Sequence, residues 1–201
     1  MTVRDRRGDG GRAVAGSGAT QAVRTAHAAL LGAVCGLAWA ASLRALMAEL
    51  AAPSRMDWFG TFGGILLPGA AVGALLASAW ARGAAGRANR IGWFALAPLA
   101  FAITLGPGQL AFAALTIAGG YALGAHGRGW LRIACAILGA AFLIALVVSL
   151  PLVGGASYAL TEPRGAWLAV LGASLTILIM VAEAIPFRYA SRPSVGPGPR
   201  S

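Results

Sequence analysis

The feature that most constrains this chain is a series of long stretches nearly free of charge. They begin near Ala26, Phe62, Ile91, Gln109, Trp130 and Ala166. The longer ones reach the ~20 residues that a helix rising ~1.5 Å per residue needs to cross a ~30 Å hydrocarbon core. A soluble domain carries roughly a quarter charged residues, whereas 11% of these 201 residues are charged and 58% are apolar. That surplus of apolar surface calls for lipid. The expected fold is an all-α, polytopic transmembrane helical bundle of six spans, at about 26–48, 62–81, 91–105, 109–124, 130–152 and 166–187.

The flanks differ in composition. Residues 1–25 hold five arginines, many glycines and few large apolar side chains, which predicts a disordered basic tail ahead of a transmembrane domain at 26–187. Residues 188–201, rich in Pro, Gly and Ser, read as a second disordered tail. The first apolar stretch exceeds a usual signal-peptide core, so it reads as an uncleaved signal and anchor, although Ala38-Trp39-Ala40 keeps cleavage open.

The net charge of +10 sits in short clusters between the spans, not in a patch interleaved with stacking aromatics, so it reports membrane orientation and not nucleic-acid binding. With the N-terminus inside, thirteen arginines fall on the inner side and three, Arg44, Arg55 and Arg164, on the outer. This positive-inside pattern predicts a multi-pass plasma-membrane protein with both termini cytoplasmic and an inner face that attracts anionic headgroups. All 16 basic residues are arginine, as heavy GC-rich codon use in a bacterial genome would produce. Trp58, Trp80, Trp93, Trp130 and Trp167 lie at span ends, where an amphipathic ring prefers the headgroup zone.

The third and fourth spans are each about fifteen residues and are joined by Gly106-Pro107-Gly108. At ~1.5 Å per residue they reach only ~22 Å, so a re-entrant hairpin at 91–124 with four full spans is the alternative topology. Pro98 predicts a kink in the third span. Small residues recur every four positions at Gly32, Gly36 and Ala40, at Gly69, Gly73 and Ala77, and at Thr116, Gly120 and Gly124. Such stripes let helix backbones approach closely, either within the bundle or at a homodimer face.

Four charged residues stand out. Arg44 continues the first stripe, so it either pairs with Asp57 or Glu162 or snorkels to headgroups. Glu183 lies about one turn before the end of the last span; an intramembrane acid is a functional-site candidate, here either paired with Arg132 or Arg188 or acting as a proton or cation site. Arg55 and Asp57 open the most information-rich segment, Arg55-Met56-Asp57-Trp58-Phe59-Gly60-Thr61-Phe62-Gly63-Gly64-Ile65-Leu66-Leu67-Pro68-Gly69. It reads as an interfacial anchor with glycines allowing a tight re-entry, or as an outer binding lip. Continued to Leu75, the segment from Trp58 resembles a stretch of small bacterial multi-span membrane proteins with no assigned activity. The resemblance implies a shared fold of several spans and no site residue.

No metal or cofactor motif is present: the chain has no His-Glu-x-x-His, no Cys-x-x-Cys and no Walker-type loop. Cys35 and Cys135 fall inside apolar spans and read as small core residues. His27 and His126 lie at span edges, and Ser157 and Ser174 have no histidine at matching depth. The expectation is therefore a non-catalytic membrane subunit or scaffold, with a membrane protein partner or a second copy. A compact transporter, or transport-system subunit, for a small neutral or hydrophobic solute is the alternative.

Overall fold

Hydropathy marks where lipid begins, not where a helix begins, and the first helix shows the difference. The computed structural model describes residues 9–50, 57–86, 91–105, 108–124 and 127–190. Helix α1 runs from Asp9 to Leu50, 42 residues, and so starts well inside the segment read as a tail without structure. At ~1.5 Å per residue it is roughly 60 Å long, about twice the thickness of a hydrocarbon core. Once nucleated, a helix adds polar residues at little cost.

The second long element has a wide first part. A π-helical stretch, Phe59–Leu66, passes directly into α2, Leu67–Ala84. Pro68 has no N–H to give to the carbonyl four residues back and its ring crowds that carbonyl. The wide turn resolves the conflict, with the Leu67 N–H donating to the Phe62 carbonyl, five residues back. Gly60, Gly63 and Gly64 thus sit within a continuous helix and not in a tight re-entry loop.

The third apolar stretch is broken. It consists of a 3-10 segment, Ile91–Leu96, and a seven-residue helix α3, Leu99–Leu105. Pro98 sits at the break, bridged by hydrogen bonds from Ala97 N to Phe94 O and from Phe101 N to Pro98 O. Helix α4 follows at Gly108–Gly124, then α5 at Gly129–Gly154, a 3-10 turn at Gly155–Tyr158, and α6 at Pro163–Ala190. Among the described residues there is no strand.

Among the described residues, four helical stretches are long and apolar enough to cross a membrane: 18–50, Phe59–Ala84, Gly129–Tyr158 and Pro163–Ala190. The chain is an all-α membrane protein with these four, plus a shorter hairpin made by α3 and α4. Six spans were expected, the third and fourth of about fifteen residues each; the third is divided at Pro98 into a 3-10 segment and a seven-residue helix, and α4 has 17 residues.

Helix α6 forms the axis. It packs against α1, α2, α4, α5 and the 91–96 segment, and its buried face runs from Leu168 through Leu175, Ile179 and Met180 to Ala184. The first two glycine stripes pack against each other, antiparallel: a Cβ at Gly32 would overlap the Gly73 carbonyl, and one at Gly36 would overlap the Gly69 carbonyl. The third stripe packs on α6, with Gly120 and Gly124 against Glu183 and Ala184 and the adjacent Gly119 against Met180, in parallel order. All three stripes are used inside the bundle. Trp39, the one tryptophan away from a span end, donates its indole N–H to the Leu175 carbonyl at 2.9 Å and meets Phe101 edge-on, tying α1 to α6.

Candidate functional site

Glu183 is placed by a backbone contact. Gly120 on α4 is the residue opposite it, and a Cβ there would overlap the Cβ and backbone of Glu183. The two helices close over the acid, leaving its exposure at 0%. Among the described residues neither carboxylate oxygen has a hydrogen-bond partner. Two neighbouring hydroxyls on the same faces are spent locally: Thr116 Oγ1 donates to the Ala113 carbonyl and Thr176 Oγ1 to the Gly172 carbonyl, at 2.9 and 2.8 Å. Pro186 follows within the same turn and has no N–H to offer the carbonyl of Ala182.

The expected pairing of Glu183 with an inner arginine is not found. Arg132 directs its Nε and Nη2 to the Ala122 carbonyl, each at 3.4 Å, closing the α4–α5 end. Arg188 is exposed in the last turn of α6. The physical reason is direction: Glu183 faces α4 through glycine, whereas both guanidinium groups lie on outward faces.

At the opposite end of the bundle the charged residues are used as fasteners. Arg44 Nε donates to Thr61 Oγ1 at 3.5 Å, so the stripe-bearing face of α1 continues onto the π-helical stretch. Asp57 caps that stretch: its Oδ2 accepts from Gly60 N at 2.5 Å while its carbonyl accepts from Thr61 N at 2.8 Å. Trp58 stacks on Phe62 with centroids 4.5 Å apart. Arg55 lies outside the described residues. An ion pair that sequence reading missed joins Arg164 to Glu49 at 2.7 Å, and Tyr158 OH donates to the Glu49 carbonyl at 2.5 Å, with the Arg164 guanidinium stacked over the Tyr158 ring. The α5–α6 connection is thereby clasped to the end of α1.

Searches against family models, characterised proteins and solved structures return no match.

A groove of about 600 Å³ opens between α1, α2 and α6, with Trp39, Val72, Leu76 and Ile179 among its walls. Cys35 faces this groove and is exposed, which corrects its reading as a core residue; Cys135 is partly buried on α5. Among the described residues no three His, Cys, Asp or Glu side chains gather in a way that could hold a metal ion.

Of the four sequence candidates, the structure sets Arg44 and Asp57 at one end of the bundle and Glu183 deep near the other. They do not form one site. Glu49, Arg164 and Tyr158 carried no signal beyond being polar residues next to turns. The mid-span position of Trp39 was such a signal, because a tryptophan far from the headgroup zone needs an internal acceptor for its N–H.

Proposed function

We propose that this protein is a non-catalytic subunit or scaffold of the plasma membrane that packs against a partner helix along α5. The observation behind this reading is a ridge on α5. Ile133, Ile137, Ile144 and Val148 share one helical face and are all exposed. β-branched side chains are stiff at χ1 and lose little freedom on packing, so such a ridge suits contact with another membrane helix. The small-residue stripes are occupied internally, so a partner helix would meet larger apolar side chains such as these. The partner is a second membrane protein or a second copy of this chain.

The positive-inside split supports cytoplasmic termini. For the 91–124 hairpin we favour a full crossing, because α3 packs against the π-helical stretch near the opposite end of the bundle. A single cysteine at position 107, in a Cys35→Ala, Cys135→Ala background, tests this. Labelling by an impermeant maleimide from outside intact cells fits six crossings; protection fits a re-entrant hairpin.

One observation favours the transport alternative. A fully buried acid with no partner is costly in a membrane span and is a frequent mark of ion or proton coupling. Native mass spectrometry of the gently extracted protein separates the readings: a stoichiometric protein partner, lost when Ile137 is replaced by Arg, fits the subunit. A lone chain that moves a small neutral solute into liposomes, and loses this with Glu183→Gln, fits the transporter.

A further inference from the structure

The groove between α1, α2 and α6 does not stand alone. Directly beyond it along the same α1–α2 seam lies a second cavity, of about 470 Å³, with Gln21, Arg24 and His27 in its wall. Trp80 lines both and is 52% exposed. Leu31 of the second cavity is followed in sequence by Gly32 of the first, so one ends where the other begins.

Depth separates their chemistry. A ~30 Å core takes about 20 residues at ~1.5 Å each. Counted from Glu49 along α1, or from Phe59 and Phe62 along α2, about 20 residues lead to Ala29 and to Trp80. The groove therefore lies at acyl-chain depth, and the Arg24–His27 cavity at headgroup depth, with Trp80 at the boundary where indoles prefer to sit.

The charges in the second cavity are of one sign. Among the described residues no acid lines it. Among the described residues nothing bonds the Arg24 guanidinium. His27 Nδ1 lies 2.9 Å from the Val23 carbonyl; a carbonyl only accepts, so Nδ1 carries the hydrogen and Nε2 is left for another partner. A guanidinium free to form a fork suits a phosphate, and the ammonium of a zwitterionic headgroup would meet repulsion.

We propose that the α1–α2 seam holds one anionic phospholipid, its acyl chain in the groove walled by Trp39 and Ile179 and its phosphate at Arg24 and His27. The groove volume lies within the ~300–1,000 Å³ usual for small-molecule sites. An anionic headgroup satisfies Arg24, while the glycine-floored seam gives the chain a fixed channel that ordinary boundary lipid lacks. The site does not depend on the subunit reading.

The test is native mass spectrometry of the full chain in detergent, titrated with phosphatidylglycerol or phosphatidylcholine. One phosphatidylglycerol should be retained, in preference to phosphatidylcholine by about tenfold. Arg24→Gln with His27→Gln should erase that preference. Cys35→Trp, which fills the groove away from the glycine contacts, should expel the lipid with both charges intact, and millimolar inorganic phosphate should not compete. Equal retention of the two lipids by the wild type overturns the proposal, as does phosphatidylglycerol binding indifferent to both variants. Competition by inorganic phosphate reduces the site to a surface anion contact and overturns it too. Thermal unfolding of each variant shows that loss of lipid is not loss of fold.

Discussion

Gly120 of α4 lies against Glu183 of α6 so closely that a single added methyl would overlap the acid's Cβ and backbone. This contact both buries the carboxylate and sets the spacing of the two helices. Gly120→Ala should therefore destabilise the protein by about 1–3 kcal/mol through overpacking. Gly129→Ala, where a Cβ meets nothing within 4 Å, should leave the unfolding midpoint in detergent unchanged.

Glu183→Gln keeps the shape of the side chain and, since neither oxygen has a partner among the described residues, breaks no hydrogen bond seen there. Stability should be retained. Had either oxygen been bonded, its removal would cost about 1–3 kcal/mol, a loss that denaturant or thermal unfolding of the two proteins side by side would reveal.

The cap at Asp57 predicts a graded response. Asp57→Ala removes the acceptor for Gly60 N and should cost about 0.5–2 kcal/mol, whereas Asp57→Asn should cost only a few tenths. Equal losses from both would indicate that the charge, and so a binding role at this lip, matters more than the hydrogen bond. Unfolding midpoints of the pair decide.

At the α1–α6 clasp, two contacts of different kinds meet at Glu49. Its ion pair with Arg164 is more than half exposed on both sides, so Glu49→Gln should cost at most roughly 1 kcal/mol and less at high salt. Tyr158→Phe removes a hydrogen bond from a buried ring to a backbone carbonyl and should cost about 0.5–1.5 kcal/mol, independent of salt. Unfolding at low and high ionic strength distinguishes them.

Much of the fold was legible in the residues. Charge-free runs located the four long helices to within a few positions, except that α1 begins at Asp9, because the polar residues before Ala26 extend a helix that lipid does not require. Pro98 announced the break that leaves α3 short. The periodic Gly32-Gly36 and Gly69-Gly73 stripes announced a close crossing, and the two stripes proved to be each other's partners. The site was legible only in part. Glu183 could be singled out as an acid in an apolar span, but its expected salt bridges were assigned by proximity in sequence to a helix end, and helix rotation turned it toward Gly120 instead.

What the sequence determined by itself is therefore one-dimensional. Hydropathy and charge set which segments enter the membrane and which side chains are small enough for backbones to touch, since both depend on the residue and its immediate neighbours. Only the tertiary structure decided which helix each face meets. Gly36 against Gly69, Trp39 to Leu175, Arg164 to Glu49 and the closure of α4 over Glu183 all follow from how α6 is rotated at the centre of the bundle. That rotation is a sum of many weak packing contacts among apolar side chains, and no single residue encodes it.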